Sequence, residues 1–193
     1  MPDLRVNAWR RLRYLEPTRV LVALRTVEKA LAGEPIDEKV ARLRTANLKP
    51  ERESRDAALL TCGLRARLGV PVYYAPVEDS DHDFVVRIDA ATGQFFTPVQ
   101  LKELVPNDLN PDASLEQLVA QLRKRHAATD TVLAIRLNRN GRTDLSPTLF
   151  EDLPYSEVWL FWAASPDAQD WRLYGNMRAA PVLTEYQYPT ATP

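Results

Sequence analysis

Asp83, Gln100 and Lys102 are the residues of this chain whose types and spacing can do chemistry. They fall in the stretch DHDFVVRIDAATGQFFTPVQLKEL, residues 81 to 104, where two apolar runs joined by Ala91-Thr92-Gly93 read as a pair of antiparallel strands. Side chains two apart on a strand share a face, so Gln100 and Lys102 point one way while Val99 and Leu101 point the other. Asp83, at the start of its strand, then comes opposite the end of the partner strand, close to both. An acid, an amide oxygen and an ammonium converge. Hard cations such as Mg²⁺ take oxygen ligands, typically one or two carboxylates plus waters and phosphates, and a neighbouring lysine orients or helps deprotonate an attacking water. Glu53, carried by the preceding helix, offers a further oxygen ligand. Taken alone, Gln-x-Lys has almost no specificity and an aspartate before an apolar run is an ordinary turn residue. An exposed strand end accounts for the same residues.

Positioning this set requires a helix, a meander and a crossover. Residues 51 to 69 carry Ala57, Leu60, Leu64 and Leu68 on one helical line, with Glu53 one turn before Ala57 and Gly69 as the stop. The period then changes to that of strands over 70–77, 83–90 and 93–104, an antiparallel meander. Ser114 with Gln117 forms a capping box before Leu115, Leu118, Val119 and Leu122, predicting a helix over 114–126. The apolar run TVLAIRL at 131–137, without alternation, reads as a buried strand parallel to 93–104. Residues 143–153 read as a short helix, and 156–164 with 171–176 as a closing hairpin. Upstream, residues 8–15, 18–32 and 37–47 read as helices, the first two separated by Glu16-Pro17.

That order of elements, with Glu53 on the helix, Asp83 on the second strand and Gln100-x-Lys102 on the third, resembles the PD-(D/E)XK nuclease-like superfamily over residues 51 to 137. The resemblance implies an α/β, restriction-endonuclease-like fold: a mixed sheet with a three-stranded meander and a parallel crossover strand, flanked by helices. It implies hydrolysis of nucleic-acid phosphodiesters in Mg²⁺ or Mn²⁺. By position, Asp83 matches the metal-binding aspartate, Gln100 replaces the second acid, Lys102 matches the motif lysine and Glu53 the helix carboxylate. The Leu101 carbonyl is the remaining implied ligand. Against the family pattern, Gln100 lowers the negative charge, Pro98 removes a donor from an interior strand and points to a bulge, and Gln121 is followed four residues later by Arg125 rather than tyrosine. A non-catalytic binding, immunity or regulatory protein on the same scaffold is the other reading. Residues 1–50 are then an N-terminal helical elaboration, 51–180 the core and 181–193 an extended or disordered tail.

Composition bounds these readings. With 193 residues, 45% hydrophobic and 26% charged, the chain holds one sizeable core and is not wholly disordered. Its 25 Lys+Arg and 26 Asp+Glu nearly cancel, so attraction to polyanions must be local. Arg5, Arg10, Arg11, Arg13, Arg19, Arg25, Lys29, Lys39, Arg42, Arg44 and Lys49 crowd the N-terminal third and read as a solvated helix face. The lone Cys62 lies among leucines and reads as structural. Strand alternation throws His82 away from Asp81 and Asp83, so this triplet reads as a solvated turn, and His126 at a helix end is assigned no chemistry. Trp159, Phe161, Trp162, Trp171 and Tyr174 read as packing rather than base stacking. Without a leader or membrane-length apolar stretch, a cytoplasmic protein with no membrane partner is expected. The oligomeric state is left open, a homodimer included.

Overall fold

The structure, a computed structural model, describes residues 4–31, 43, 46–77, 81–124, 130–139, 141 and 143–190. Its centre is a mixed seven-stranded sheet whose strands lie side by side in chain order. The meander is β1 (Val72–Pro76), β2 (Phe84–Ala90) and β3 (Gly93–Leu104), each antiparallel to the next. Helix α4 (Leu115–Leu122), capped by the Ser114 hydroxyl accepting from Gln117 N, leads to β4 (Val132–Leu137), which runs parallel to β3 as expected. A second parallel step reaches β5 (Glu157–Ala163), and β6 (Asp170–Gly175) and β7 (Val182–Gln187) close the sheet antiparallel. Residues 143–153 contain only a 3-10 turn at Pro147–Phe150, and the segment from Pro181 supplies β7.

Both sheet faces are covered, which is why β4 has no polar alternation until Arg136. One face packs on α3 (Lys49–Leu68): Val99, Leu101, Val132, Ala134, Trp159 and Phe161 meet Ala57 and Leu60. The other packs on α4, with Leu133, Ile135, Val158 and Leu160 against Leu115, Val119 and Leu122. Helix α3 has Pro50 in its first turn and is stopped by Gly69 at φ 67°, whose N–H returns to the Arg65 carbonyl at 3.0 Å. Helix α2 (Pro17–Leu31) adds the fully buried Leu21 to the same layer. The helix expected over 37–47 lies largely outside the described residues, which include a 3-10 turn at Ala46–Leu48.

Where α3 crosses β6 and β7 the contact is close enough to require glycine. A Cβ on Gly63 would lie 2.9 Å from Tyr186 Cε1 and 3.1 Å from Leu173 Cβ, and the Tyr186 ring is held by its hydroxyl donating to the Leu59 carbonyl at 2.9 Å. Gly63→Ala is therefore expected to lower stability by about 1–3 kcal/mol through overpacking, despite alanine's better helix propensity. A urea unfolding midpoint at or above that of the wild type would contradict this packing.

Two further sequence expectations change near the β1–β3 meander. The first helix, expected over 8–15, is α1 (Leu4–Trp9); the chain then turns, and Leu15 bridges Tyr74 through N–H···O bonds of 2.7 and 3.3 Å. Leu15 thus pairs with the exposed edge of β1 instead of extending a helix. No bulge forms at Pro98, because the β2–β3 register is one-to-one from Phe84↔Val99 to Ala90↔Gly93. β4 begins opposite Val99, so Pro98 precedes the stretch that β4 pairs with and its missing donor interrupts nothing there.

Candidate functional site

The site arises because β3 changes partner partway along. It pairs with β2 over Gly93–Val99 and with β4 over Val99–Leu104. A strand residue sends its N–H and C=O to the same side, and successive residues alternate. Leu104 addresses β4, its carbonyl accepting Asn138 N at 3.0 Å, so Leu101 addresses the side that β2 has left. Side chains satisfy both of its peptide groups: Leu101 N–H donates to Asp83 Oδ2 at 2.6 Å, and the Leu101 carbonyl accepts from Lys102 Nζ at 2.9 Å. Gln100 Nε2 donates to the same Asp83 oxygen at 2.5 Å. Asp83 is itself fixed by its N–H on Val99 O at 2.9 Å and by Val77 N on its carbonyl at 3.2 Å.

Asp83, Gln100, Leu101 and Lys102 therefore form one hydrogen-bonded set at the point where two strands part. Glu53 lies nearby: it lines the same cleft of about 390 Å³ as Asp83, and its carboxylate pairs with Lys49 Nζ, one turn back, at 3.3 Å. It comes from the α3 side, whereas Gln100 and Lys102 alternate with Val99 and Leu101 and stand on the α4 side. Asp83 and Glu53 thus open onto one cleft at the end of the sheet, where Asp83 also receives the Gln100 amide.

Every oxygen in this set is a hard donor: the Asp83 and Glu53 carboxylates, the Gln100 amide oxygen and the Leu101 carbonyl. Two carboxylates with neutral oxygens are what Mg²⁺ accepts, so the donor chemistry fits. The fit requires an exchange of partners, since Gln100 turns its NH₂ toward Asp83 and the Lys102 ammonium occupies the Leu101 carbonyl. Among the described residues no three His, Cys, Asp or Glu side chains gather to hold a metal ion.

The other candidates separate clearly. His82 is not in a solvated turn: it is 3% exposed and meets the Trp9 ring edge-on at 6.0 Å, because α1 folds over it. His126 lies outside the described residues. Burial pushes the Cys62 thiol up to about 12, which suits a packing role and not a nucleophile. Trp159, Phe161 and Trp171 are buried in the α3-side core, and Trp162 and Tyr174 pack against the other. Two features escaped the sequence reading: an ion pair between Asp56 and Arg136 inside the core, and the placement of Arg10, Arg11 and Arg13 on a turn, where a helix face was expected. Among the described residues no helix is long and apolar enough to cross a membrane. Compared with known proteins, the chain matches no family model, no curated protein and no solved structure.

Proposed function

We propose that this protein is a metal-dependent, PD-(D/E)XK nuclease-like hydrolase of nucleic-acid phosphodiesters, with a restriction-endonuclease-like core and a cytoplasmic site of action. The observation that carries the reading is the meeting of Asp83, Gln100, the Leu101 carbonyl and Lys102 where β2 leaves β3. Asp83, Gln100, the Leu101 carbonyl and Glu53 would hold Mg²⁺ or Mn²⁺. When bound, the ion supplies Lewis acidity toward a phosphoryl oxygen and a more acidic water.

The chain's own residues do the positioning. The Leu101 N–H orients the Asp83 carboxylate, and the Gln100 amide holds it from a second side. Lys102, half-buried and beside the Leu101 carbonyl, presents N–H donors that orient an attacking water and keep its proton transfer local. Lys102→Ala is expected to lower the cleavage rate by about a hundredfold with Mn²⁺ affinity nearly unchanged, since its role is with the water.

The test is cleavage of a panel of DNA and RNA substrates with titrated Mg²⁺ and Mn²⁺, comparing wild type, Asp83→Asn and Lys102→Ala prepared identically. Activity in the wild type that both variants lose supports the reading; equal cleavage by all of them exposes contamination and removes it. One feature favours the non-catalytic alternative: the candidate ligands already have internal partners, as a purely structural strand end would. No cleavage by any preparation across the panel would assign the fold to a binding, immunity or regulatory role.

A further inference from the structure

We infer that the turn after α1, with its guanidinium groups at Arg10, Arg11 and Arg13, is a docking surface for a phosphodiester backbone. All of these residues are exposed, and among the described residues none has a carboxylate partner. On a chain whose formal net charge is −1, such a cluster is a local positive patch and not a reflection of overall charge. The inference rests on the nuclease reading for its choice of partner. It does not rest on catalysis.

Contacts on both sides of the turn set it beside the start of β2. At one end of α1, Arg5 pairs with Asp130, just before β4, at 3.3 Å. At the other, Trp9 is 8% exposed and packs edge-on against His82, the residue before Asp83. α1 therefore links the approach to β4 with the approach to β2, the strands that part at Leu101 of β3. Beyond the turn, Tyr14 donates its hydroxyl to the Trp9 carbonyl at 3.0 Å and lies under Arg87, whose guanidinium carbon is 4.7 Å from its ring centre. Tyr14 also meets Phe96, the register partner of Arg87.

Arg87 and Phe96 alternate with the α3-facing residues of β2 and β3, as Gln100 and Lys102 do. The arginine turn thus lies on the sheet face that carries Lys102. Arginine is suited to this task, because its planar fork gives two parallel hydrogen bonds to a phosphate. A pinned backbone with free side chains also limits the ordering that binding would otherwise cost. These contacts carry no base information, so the surface should grip nucleic acid without regard to sequence and hold it against the Asp83 end of the sheet.

The experiment is fluorescence anisotropy of labelled duplex DNA, single-stranded DNA and duplex RNA in EDTA, over a range of salt concentrations. The wild type should bind at least one of them. The triple variant R10A/R11A/R13A should lose at least about tenfold in affinity, and its log–log salt slope should flatten by about 2 to 3, the figure for phosphates neutralised one per arginine. R10K/R11K/R13K should keep most of the slope, and Arg172→Ala, which removes a partly exposed β6 arginine already paired with Glu185 at 2.9 Å, should leave it unchanged. Equal binding and equal slope for wild type and the triple alanine variant would overturn the inference; so would a wild type that cleaves but shows no binding in EDTA. Asp83→Asn should bind normally, so loss of cleavage with retained binding separates this surface from the chemistry.

Discussion

Asp83→Asn is expected to abolish cleavage while leaving thermal unfolding nearly unchanged. Asparagine with its oxygen in the Oδ2 position still accepts both the Leu101 N–H, now at 2.6 Å, and the Gln100 Nε2. What disappears is the negative charge. Glu53, paired with Lys49 at 3.3 Å, would then be the remaining carboxylate of the set, and a single partly neutralised carboxylate holds Mg²⁺ poorly. Loss of about 4 kcal/mol of transition-state stabilisation corresponds to roughly a thousandfold fall in rate, the minimum expected here. Mn²⁺ titration should show weakened binding in parallel. Asp83→Ala is a poorer test, because it also strips the acceptor from Leu101 N–H and should destabilise the fold by about 1–3 kcal/mol. An aspartate at a strand start would ordinarily contribute little; here it satisfies a peptide group that β2 has left. Cleavage by Asp83→Asn at the wild-type rate would end the nuclease reading.

Arg136→Met is expected to cost about 3–5 kcal/mol of stability. Arg136, on the last full turn of the pleat of β4, donates to Asp56 of α3 at 2.6 Å, and both are buried, at 8% and 2% exposure. Arg55 Nε lies 3.8 Å from the same carboxylate oxygen. Burial pushes the Asp56 carboxyl above the usual range, and Arg136 and then Arg55 pull it back. Removing Arg136 leaves a buried charge with a weaker partner and drives that carboxyl further up.

The pH dependence follows from this direction. A carboxyl whose folded pKa is raised favours the fold below its unfolded pKa, and this contribution is lost as pH rises through the folded value. The gap between Arg136→Met and wild type should therefore narrow as pH falls from neutral toward the ordinary carboxylate range. The double variant Asp56→Leu/Arg136→Met should recover most of the loss, since a packed apolar pair avoids desolvation altogether. Urea unfolding at several pH values reads all of these outcomes. A gap that widens in acid would show that Arg136 does not hold the Asp56 charge.

The sequence by itself determined the order of elements and the local patterns. The α3 stripe ended by Gly69, the meander, the Ser114 cap and the non-alternating apolar β4 run were all legible, because each depends on neighbours within a few positions. The shared face of Gln100 and Lys102 followed from strand alternation alone. Contacts between distant segments decided the rest. β3 divides its length between β2 and β4, and this division aims the Leu101 peptide groups at Asp83 and Lys102. His82 is buried because Trp9 packs on it, and α1 stops at Trp9 because the following residues turn to cover the β1 edge through Leu15. Residues after Pro181 become a strand because β6 offers an open edge. Asp56 and Arg136 are 80 positions apart, so no local period marks them as partners. Local sequence sets which conformation each segment prefers; which polar groups are left without water, and so must find one another, is set only when the layers close.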